Sequence, residues 1–158
     1  MKSRRRQMSI NVSSSLKGEF SRIKELFPAI QAETRYKNFS INYEKLENLY
    51  YNQFDENPII KVFYALDGDE LVGFGAFVIT AHYFTDELIA SDIIVYVRPE
   101  RRGSSAAIKI LKNYILWADQ QKATQITLGI STGIHPEKTK RFYERLGFKT
   151  IGTMHCLE

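Results

Sequence analysis

Apolar residues in the second half of the chain switch between the spacing of strands and the spacing of a helix. LIASDIIVYV (88–97) and ATQITLGI (123–130) are short runs rich in β-branched residues, which is typical of strands. Between them, from Ser104 to about Gln121, apolar residues recur at helical spacing. This period predicts a helix that packs one face against a sheet.

A second helix and a closing strand are predicted after these elements. PEKTKRFYERL (136–146) has helical spacing, with Pro136 near its first turn and Gly147 as a C-terminal cap. FKTIGTMHCL (148–157) predicts a closing strand or a bent pair of strands. Strand, helix, strand, helix and strand in this order imply a mixed sheet with helices on both faces.

The middle of the chain predicts a β-hairpin. IIKVFYAL (59–66) and LVGFGAFVIT (71–80) have strand patterns, and Asp67-Gly68 between them is a turn signal. The two glycines of VGFGAF indicate a bulge or a close approach of the backbone rather than a plain strand.

Helices are predicted before this hairpin. SSSLKGEFSRIKELF (13–27) places apolar residues at helical spacing behind serine caps, and Pro28 is expected to end the helix. A second helix follows the candidate cap Asn42. Its predicted inner face consists of Leu46, Leu49, Tyr50 and Phe54.

The composition fits one ordinary domain without a metal or a disulfide. At 158 residues, 44% hydrophobic and 25% charged, the chain can bury a sizeable core. The lone Cys156 cannot form an internal disulfide, and the histidines lack metal-ligand spacing, so no metal is expected. We expect a basic, flexible arm over residues 1–12 and a single domain over residues 13–158. Neither a membrane span nor a secretory segment is recognisable, which predicts a cytoplasmic protein.

Small and basic residues at the start of the predicted long helix form a candidate ligand site. RPERRGSSAA (98–107) lies where the first backbone N–H groups of a helix have no partner within it. These groups and the helix dipole favour an anion such as a phosphate. The predicted contacts are Arg101, Arg102 and the backbone of Gly103, Ser104, Ser105, Ala106 and Ala107. A serine-capped helix with solvated arginines explains the same residues, so this segment alone leaves both readings open.

Two motifs together resemble the GCN5-related N-acetyltransferase (GNAT) superfamily. RFYERLGF (141–148) resembles its Tyr-Glu-(Lys/Arg)-Leu-Gly-Phe signature, and VRPERRGSSA (97–106) resembles its acetyl-CoA loop. LDGDELVGFGAF (66–77) is similar to the family's central strands, so the resemblance covers roughly residues 58 to 158. It implies an α/β (α+β) GNAT fold. Such a fold has a mixed, mostly antiparallel sheet, helices on both faces and a splay between two parallel strands.

The resemblance implies acetyl-CoA as the co-substrate. Its pyrophosphate would lie on the loop, and the backbone of Val95 and Val97 would pair with the pantetheine amides. Ser105 departs from the family, because a glycine is usual at this position. A serine keeps the side chain small and the N–H free, so it conflicts with the site only if the local φ is positive. We expect the N–H of Ser105, with or without its hydroxyl, to face the phosphate.

The family's chemistry is direct attack of an amine on the thioester, which requires no enzyme nucleophile. Tyr143 is then the candidate acid that protonates the departing thiolate. Asp92 is the candidate base for the incoming amine, and Glu87 and His82 are further candidates. The asparagine that the family has seven residues before the tyrosine is replaced here by Pro136.

We therefore predict an acetyl-CoA-dependent N-acetyltransferase that acts on a primary amine of a small molecule, a peptide or a protein. Two alternatives stay open: a toxin-like member of the family that acetylates aminoacyl-tRNA, and a non-catalytic acyl-CoA-binding module. The expected partner is an amine-bearing substrate, with nucleic acid only as tRNA in the first alternative and no membrane. A homodimer through the last strand would be compatible with the family, and the sequence leaves it open.

Overall fold

A five-stranded sheet forms the centre of the molecule. The computed structural model describes residues 9–15 and 19–158. The strands lie side by side in chain order: β1 (Asn11–Ser13), β2 (Ile60–Asp67), β3 (Glu70–Ala81), β4 (Leu88–Val97) and β5 (Gln125–Ile126). Neighbours from β1 to β4 are antiparallel, whereas β4 and β5 are parallel. The predicted mixed, mostly antiparallel sheet is confirmed.

Helices cover both faces of this sheet. They are α1 (Glu19–Lys24), α2 (Phe27–Glu33), α3 (Tyr43–Tyr51), α4 (Ala106–Gln120) and α5 (Pro136–Arg145). The first three helices pack against one face, around the buried rings of Tyr64 and Phe74. On the other face, α4 buries Tyr114, whose ring stacks on Phe77 with 4.0 Å between the ring centroids. The helix predicted over 104–121 is thus confirmed with nearly the same ends.

Glycines of the β2–β3 hairpin permit tight backbone contacts. Asp67 pairs with Glu70 across the turn, and Gly68 has a φ of 61°, as the turn signal predicts. A Cβ on Gly73 would lie 2.5 Å from the carbonyl oxygen of Tyr96 in β4. A Cβ on Gly75 would lie 2.7 Å from a side-chain carbon of α4. The close approach predicted from the VGFGAF glycines is therefore confirmed.

The N-terminal elements differ from their prediction. Ser13 belongs to β1 rather than to a helix. The predicted boundary between the arm (residues 1–12) and the domain (residues 13–158) falls inside that strand. Ile10 is buried in the core beside α4, so the domain begins before residue 13. Pro28 lies in the first turn of α2 instead of ending a helix, because the first helical N–H groups need no partner. The basic MKSRRRQ segment lies outside the described residues.

The C-terminal strands are also shorter than predicted. Only Gln125–Ile126 of the predicted strand 123–130 pairs with β4, because the two strands then separate. Residues 148–157 form neither strand nor helix, and Leu157 is fully exposed. A segment with strand propensity forms a strand only where a neighbouring strand pairs with its backbone and packs against its side chains. Residues 148–157 pair with no strand of the described chain. Phe54, predicted on the inner face of a helix, is 62% exposed.

Predicted helix ends are confirmed at two positions. The side chain of Asn42 accepts a hydrogen bond from the N–H of Lys45 at the start of α3. At the end of α5, Gly147 has a φ of 95°, and the N–H of Phe148 donates to the carbonyl of Tyr143. This hydrogen-bond pattern is the Schellman motif. It fixes the helix end that carries Tyr143.

Gly73→Ala is expected to lower the free energy of unfolding by about 1–3 kcal/mol, because its Cβ would overlap the backbone of β4. Urea denaturation measures this change. Gly152→Ala is the matched control, since no atom lies within 4 Å of its added Cβ. Equal stability of the two variants would contradict the close β3–β4 approach.

Candidate functional site

The two parallel strands separate in the middle of β4. The N–H of Thr127 donates to the carbonyl of Ala90 at 2.9 Å. A parallel ladder continued in this register would include a hydrogen bond from the N–H of Gly129 to the carbonyl of Asp92. Instead, the Asp92 carboxylate accepts from Gly129 at 2.7 Å. A side chain therefore spans the gap at the point where the backbone ladder stops.

A β-bulge in β4 turns the rest of the strand away from β5. Ala76 pairs with Ile94, whereas Phe77 pairs with Asp92, so Ile93 has no partner in β3. An extra residue of this kind bends its strand and increases the local twist. The bulge directly follows Asp92, so the bend and the end of the ladder coincide. Together they produce the splay that the sequence resemblance implies.

Beyond the bulge, β4 presents an open backbone edge. The N–H of Arg98 donates to the carbonyl of Val72, so the backbone groups of Arg98 point towards β3. Because backbone groups alternate between the two sides of a strand, those of Val95 and Val97 point away from β3 and into the splay. The carbonyl of Val97 accepts from Nε of Arg102 at 3.0 Å. The two predicted valines thus lie along the splay, with one carbonyl already bound.

The loop after β4 holds a serine without backbone strain. A short 3-10 turn, Pro99–Arg101, leads to Gly103 with a φ of 85°, a conformation that favours glycine. Ser105 has a φ of −77°, which any residue adopts. The departure from the family's glycine at Ser105 therefore has no conformational cost.

Four N–H groups at the start of α4 have no acceptor among residues 9–15 and 19–158. They belong to Gly103, Ser105, Ala107 and Ile108. The N–H groups of Ser104 and Ala106 are engaged within the loop, the latter by the Ser104 hydroxyl at 3.3 Å. No atom of the described residues lies within 4 Å of a Cβ placed on Gly103, so these residues leave the space beside the loop open. Unpaired N–H groups at a helix start can bind an anion.

Arg101 and Arg102 both form ion pairs with carboxylates of the protein. Their charges, predicted to attract the phosphate, are therefore partly neutralised. Arg101 contacts Asp67 at 2.5 Å and Glu70 at 3.2 Å, and both carboxylates belong to the β2–β3 hairpin. Arg102 contacts Glu33 of α2 at 2.8 Å. The structure thus gives Arg101 and Arg102 a tethering role, one on each side of the loop. Their predicted contact with a phosphate stays a prediction.

Tyr143 lies beside the splay. Its hydroxyl donates to the carbonyl of Gly129 at 3.3 Å. Burial, together with the nearby charge of Asp92, raises the pKa of the Tyr143 phenol above its ordinary value. The group therefore keeps its proton at neutral pH and is able to act as an acid.

The candidate bases are dispersed. Burial raises the pKa of the Asp92 carboxyl, although its hydrogen bond from Gly129 opposes this change. Glu87 and His82 lie at the β3–β4 hairpin, where the N–H of His82 donates to the carbonyl of Glu87. Glu87 lies five positions before Asp92, about 16 Å away at strand spacing. Of the predicted chemical groups, the structure brings together only Asp92 and Tyr143.

Sequence reasoning missed Gly129, which contacts both of these side chains through its backbone. Its signal was a glycine inside the strand pattern ATQITLGI, since such a glycine often marks a close backbone approach. The hydroxyls of Ser91 and Thr127 were also missed. They lie 2.9 Å apart and form a second side-chain bridge between β4 and the chain after β5.

In the part of the chain that the structure describes, no group of three or more His, Cys, Asp or Glu side chains is arranged to hold a metal ion. None of the helices in those residues has the length and apolar character needed to cross a membrane.

Comparisons with known proteins agree with this fold. A family model described as an acetyltransferase (GNAT) domain matches residues 58–150, more than half of the chain. No curated protein sequence matches. Solved structures share the fold. An acetyltransferase from Trypanosoma brucei has 16% identity and a TM-score of 0.71, with 95% of this chain and 99% of that one covered.

Two further solved structures carry more specific names. An aminoglycoside acetyltransferase from an uncultured soil metagenomic sample has 17% identity and a TM-score of 0.71, covering 96% of this chain and 99% of its own. A ribosomal-protein-alanine N-acetyltransferase from Brucella melitensis has 16% identity and a TM-score of 0.69, covering 95% and 99%. At these identities the likeness establishes the fold and not the substrate.

Proposed function

Because the chain belongs to the GNAT family of acetyltransferases, we propose that it transfers the acetyl group of acetyl-CoA to a primary amine. The observation that carries this proposal is the set of N–H groups at the start of α4 for which the described chain offers no acceptor. They adjoin the open edge of β4, so a phosphate group and an extended arm could be held side by side. The residues present therefore fit acetyl-CoA.

Each part of this site would hold one part of the donor. The N–H groups of Gly103, Ser105, Ala107 and Ile108 would bind the pyrophosphate, where the helix dipole adds to their attraction. The backbone of Val95 and Val97 would hydrogen-bond to the pantetheine arm. Since both loop arginines are paired with carboxylates, the N–H groups rather than the guanidinium groups would form the closest phosphate contacts.

Tyr143 would complete the transfer by donating a proton. When bound, acetyl-CoA supplies a thioester whose carbonyl carbon is attacked by the amine, with cleavage of the carbon–sulfur bond. The leaving sulfur needs a proton, and the half-buried phenol of Tyr143 holds one at neutral pH. The amine must also lose a proton, for which a water chain or the carboxylate of Asp92 is the candidate acceptor.

The acceptor is proposed as an amine on a small molecule, a peptide or a protein. Polyamines, aminoglycosides, peptides and aminoacyl-tRNA form a panel that separates these classes by acetyl transfer. Steep salt dependence with aminoacyl-tRNA alone would select the toxin-like alternative. Acetyl-CoA binding without transfer to any amine would select the binding module.

The Gly103 position provides a charge test of the anion site. Gly103→Asp and Gly103→Asn have similar shapes, and both residues tolerate a positive φ better than most. Only the aspartate places a negative charge beside the proposed pyrophosphate. We expect Gly103→Asp to weaken acetyl-CoA binding at least about fivefold relative to Gly103→Asn, because like charges at this range repel by ~1 kcal/mol or more. Calorimetry measures both affinities.

Absence of acetyl-CoA binding by the wild type would refute the proposed function. Equal affinities of the two Gly103 variants would exclude the start of α4 as the pyrophosphate site. Gln120→Glu adds the same charge at the exposed opposite end of α4. This control should bind acetyl-CoA like the wild type.

Tyr143→Phe is expected to lower kcat by about 10²–10⁴-fold, the usual contribution of a positioned acid. Its affinity for acetyl-CoA should stay close to that of the wild type. Tyr83→Phe removes a hydroxyl from an exposed tyrosine at the β3–β4 hairpin and serves as the control. Unchanged turnover of Tyr143→Phe would remove this residue from the acid role.

The pH dependence of kcat supplies a second test of Tyr143. An acid is active while protonated, so its activity is lost as the pH rises through its pKa. Burial raises the pKa of this phenol, and a free tyrosine has a pKa of about 10. Wild-type kcat should therefore show no loss from Tyr143 ionisation up to about pH 10. A loss near pH 8 that is absent in the residual activity of Tyr143→Phe would contradict the assignment.

A further inference from the structure

We infer that Asp92 is a positioning residue: it holds the peptide group of Gly129 and, through it, the hydroxyl of Tyr143. This inference rests on the proposed acetyl transfer and deepens it. The role differs from that of a base, because it requires a hydrogen-bond acceptor at this position and not a group that takes up a proton.

A continuous chain of hydrogen bonds carries the inference. The N–H of Gly129 donates to Oδ1 of Asp92 at 2.7 Å, and the carbonyl of the same residue accepts from the Tyr143 hydroxyl at 3.3 Å. Both contacts are made by Gly129, whose two backbone groups lie in neighbouring peptide units. Displacement of this residue would therefore displace the partner of the phenol.

The position of Asp92 in the ladder explains why a side chain has this task. Up to the bond from Thr127 to Ala90, backbone hydrogen bonds join the two strands, and the hydroxyls of Thr127 and Ser91 add to them. Beyond this bond, the carboxylate of Asp92 stands where a backbone carbonyl would accept from Gly129 in a closed ladder. The Asp92 side chain reaches farther than a backbone carbonyl, so it still joins the two strands where their backbones have moved apart. The bulge at Ile93 follows at once and directs β4 away.

No other described contact fixes Gly129 in this way. The Ser91–Thr127 hydroxyl bridge and the hydrogen bond from Tyr114 to the carbonyl of Thr127 both act two residues earlier. Among the described residues, a Cβ on Gly129 would have one neighbour within 4 Å, the Asp92 carboxylate at 3.7 Å. Leu128 packs against the core, and Ser131 and Thr132 accept hydrogen bonds from Tyr36 and Arg35. The N–H of Gly129 itself is held by Asp92.

The experiment compares Asp92→Asn with Asp92→Ala in steady-state acetyl transfer. Asparagine keeps an oxygen that can accept from Gly129 but cannot act as a base at neutral pH. We expect Asp92→Asn to keep kcat within about threefold of the wild type and Asp92→Ala to lose about tenfold or more, as for other small misplacements of catalytic groups. The kcat should fall more than the KM for acetyl-CoA rises, because the contact acts on Tyr143.

Ser91→Ala is the matched control. It removes the neighbouring side-chain bridge between the same two strands and leaves the Asp92–Gly129 contact intact. Its kcat should stay near the wild-type value. A loss as large as that of Asp92→Ala would show that any weakened bridge impairs the enzyme, and would overturn the inference.

A double variant separates positioning from base chemistry. If Asp92 acts through Tyr143, then Asp92→Ala should cost little further activity in a Tyr143→Phe background. Independent, multiplicative losses would contradict this pathway. Equal damage from Asp92→Asn and Asp92→Ala in the otherwise wild-type protein would assign Asp92 the base role instead.

Hydrogen exchange of the Gly129 amide gives a readout that does not depend on turnover. Exchange should be faster in Asp92→Ala than in the wild type and nearly unchanged in Asp92→Asn. Unchanged exchange in Asp92→Ala would overturn the positioning role even if acetyl transfer is found. If the exchange pattern holds but no amine is acetylated, the proposed function fails while the structural contact stands.

Discussion

The parallel pairing of β4 and β5 is limited to two residue pairs, and the rest of the candidate site depends on that limit. A longer ladder would engage the backbone of β4 beyond Ala90 and leave no edge for a ligand. Three features end it together: the carboxylate of Asp92, the bulge at Ile93 and the glycine at position 129. The opening is therefore built by particular residues on both strands.

The loop after β4 extends the same opening to the start of α4. Arg101 binds the β2–β3 hairpin and Arg102 binds α2, so the loop is fastened on two sides. Gly75 lets α4 approach the sheet closely. Because both anchors belong to regular secondary structure, we expect the loop N–H groups that lack an acceptor among the described residues to be oriented before any ligand binds. Such preorganised dipoles bind an anion without further ordering.

Local signals in the sequence predicted much of this arrangement. The turn at Asp67-Gly68, the cap of Asn42 and the C-terminal cap Gly147 depend on nearby residues, and all three are confirmed. The period of α4 is equally local. The motifs VRPERRGSSA and RFYERLGF predicted the positions of the loop and of Tyr143 in the fold, because each motif combines several residues that act at one place in the structure.

Contacts between distant residues could not be predicted in the same way. Ser13 forms a strand because it pairs with β2, whereas FKTIGTMHCL pairs with no strand of the described chain. The carboxylates that pair with Arg101, those of Glu70 and Asp67, lie 31 and 34 positions away in the sequence. This ion pairing could therefore not be predicted from the residues around Arg101. Gly129 contacts Asp92 and Tyr143 through its backbone N–H and carbonyl. Every residue type except proline has both groups, so these contacts cannot be predicted from the identity of residue 129.

The location of the donor site is tested most directly by backbone amide chemical shifts during titration of the nitrogen-15-labelled protein with acetyl-CoA. The largest changes should fall on the four unpaired N–H groups at the start of α4 (Gly103, Ser105, Ala107 and Ile108) and on Val95 and Val97. Changes concentrated on the face covered by α1, α2 and α3, with the start of α4 unaffected, would contradict the account.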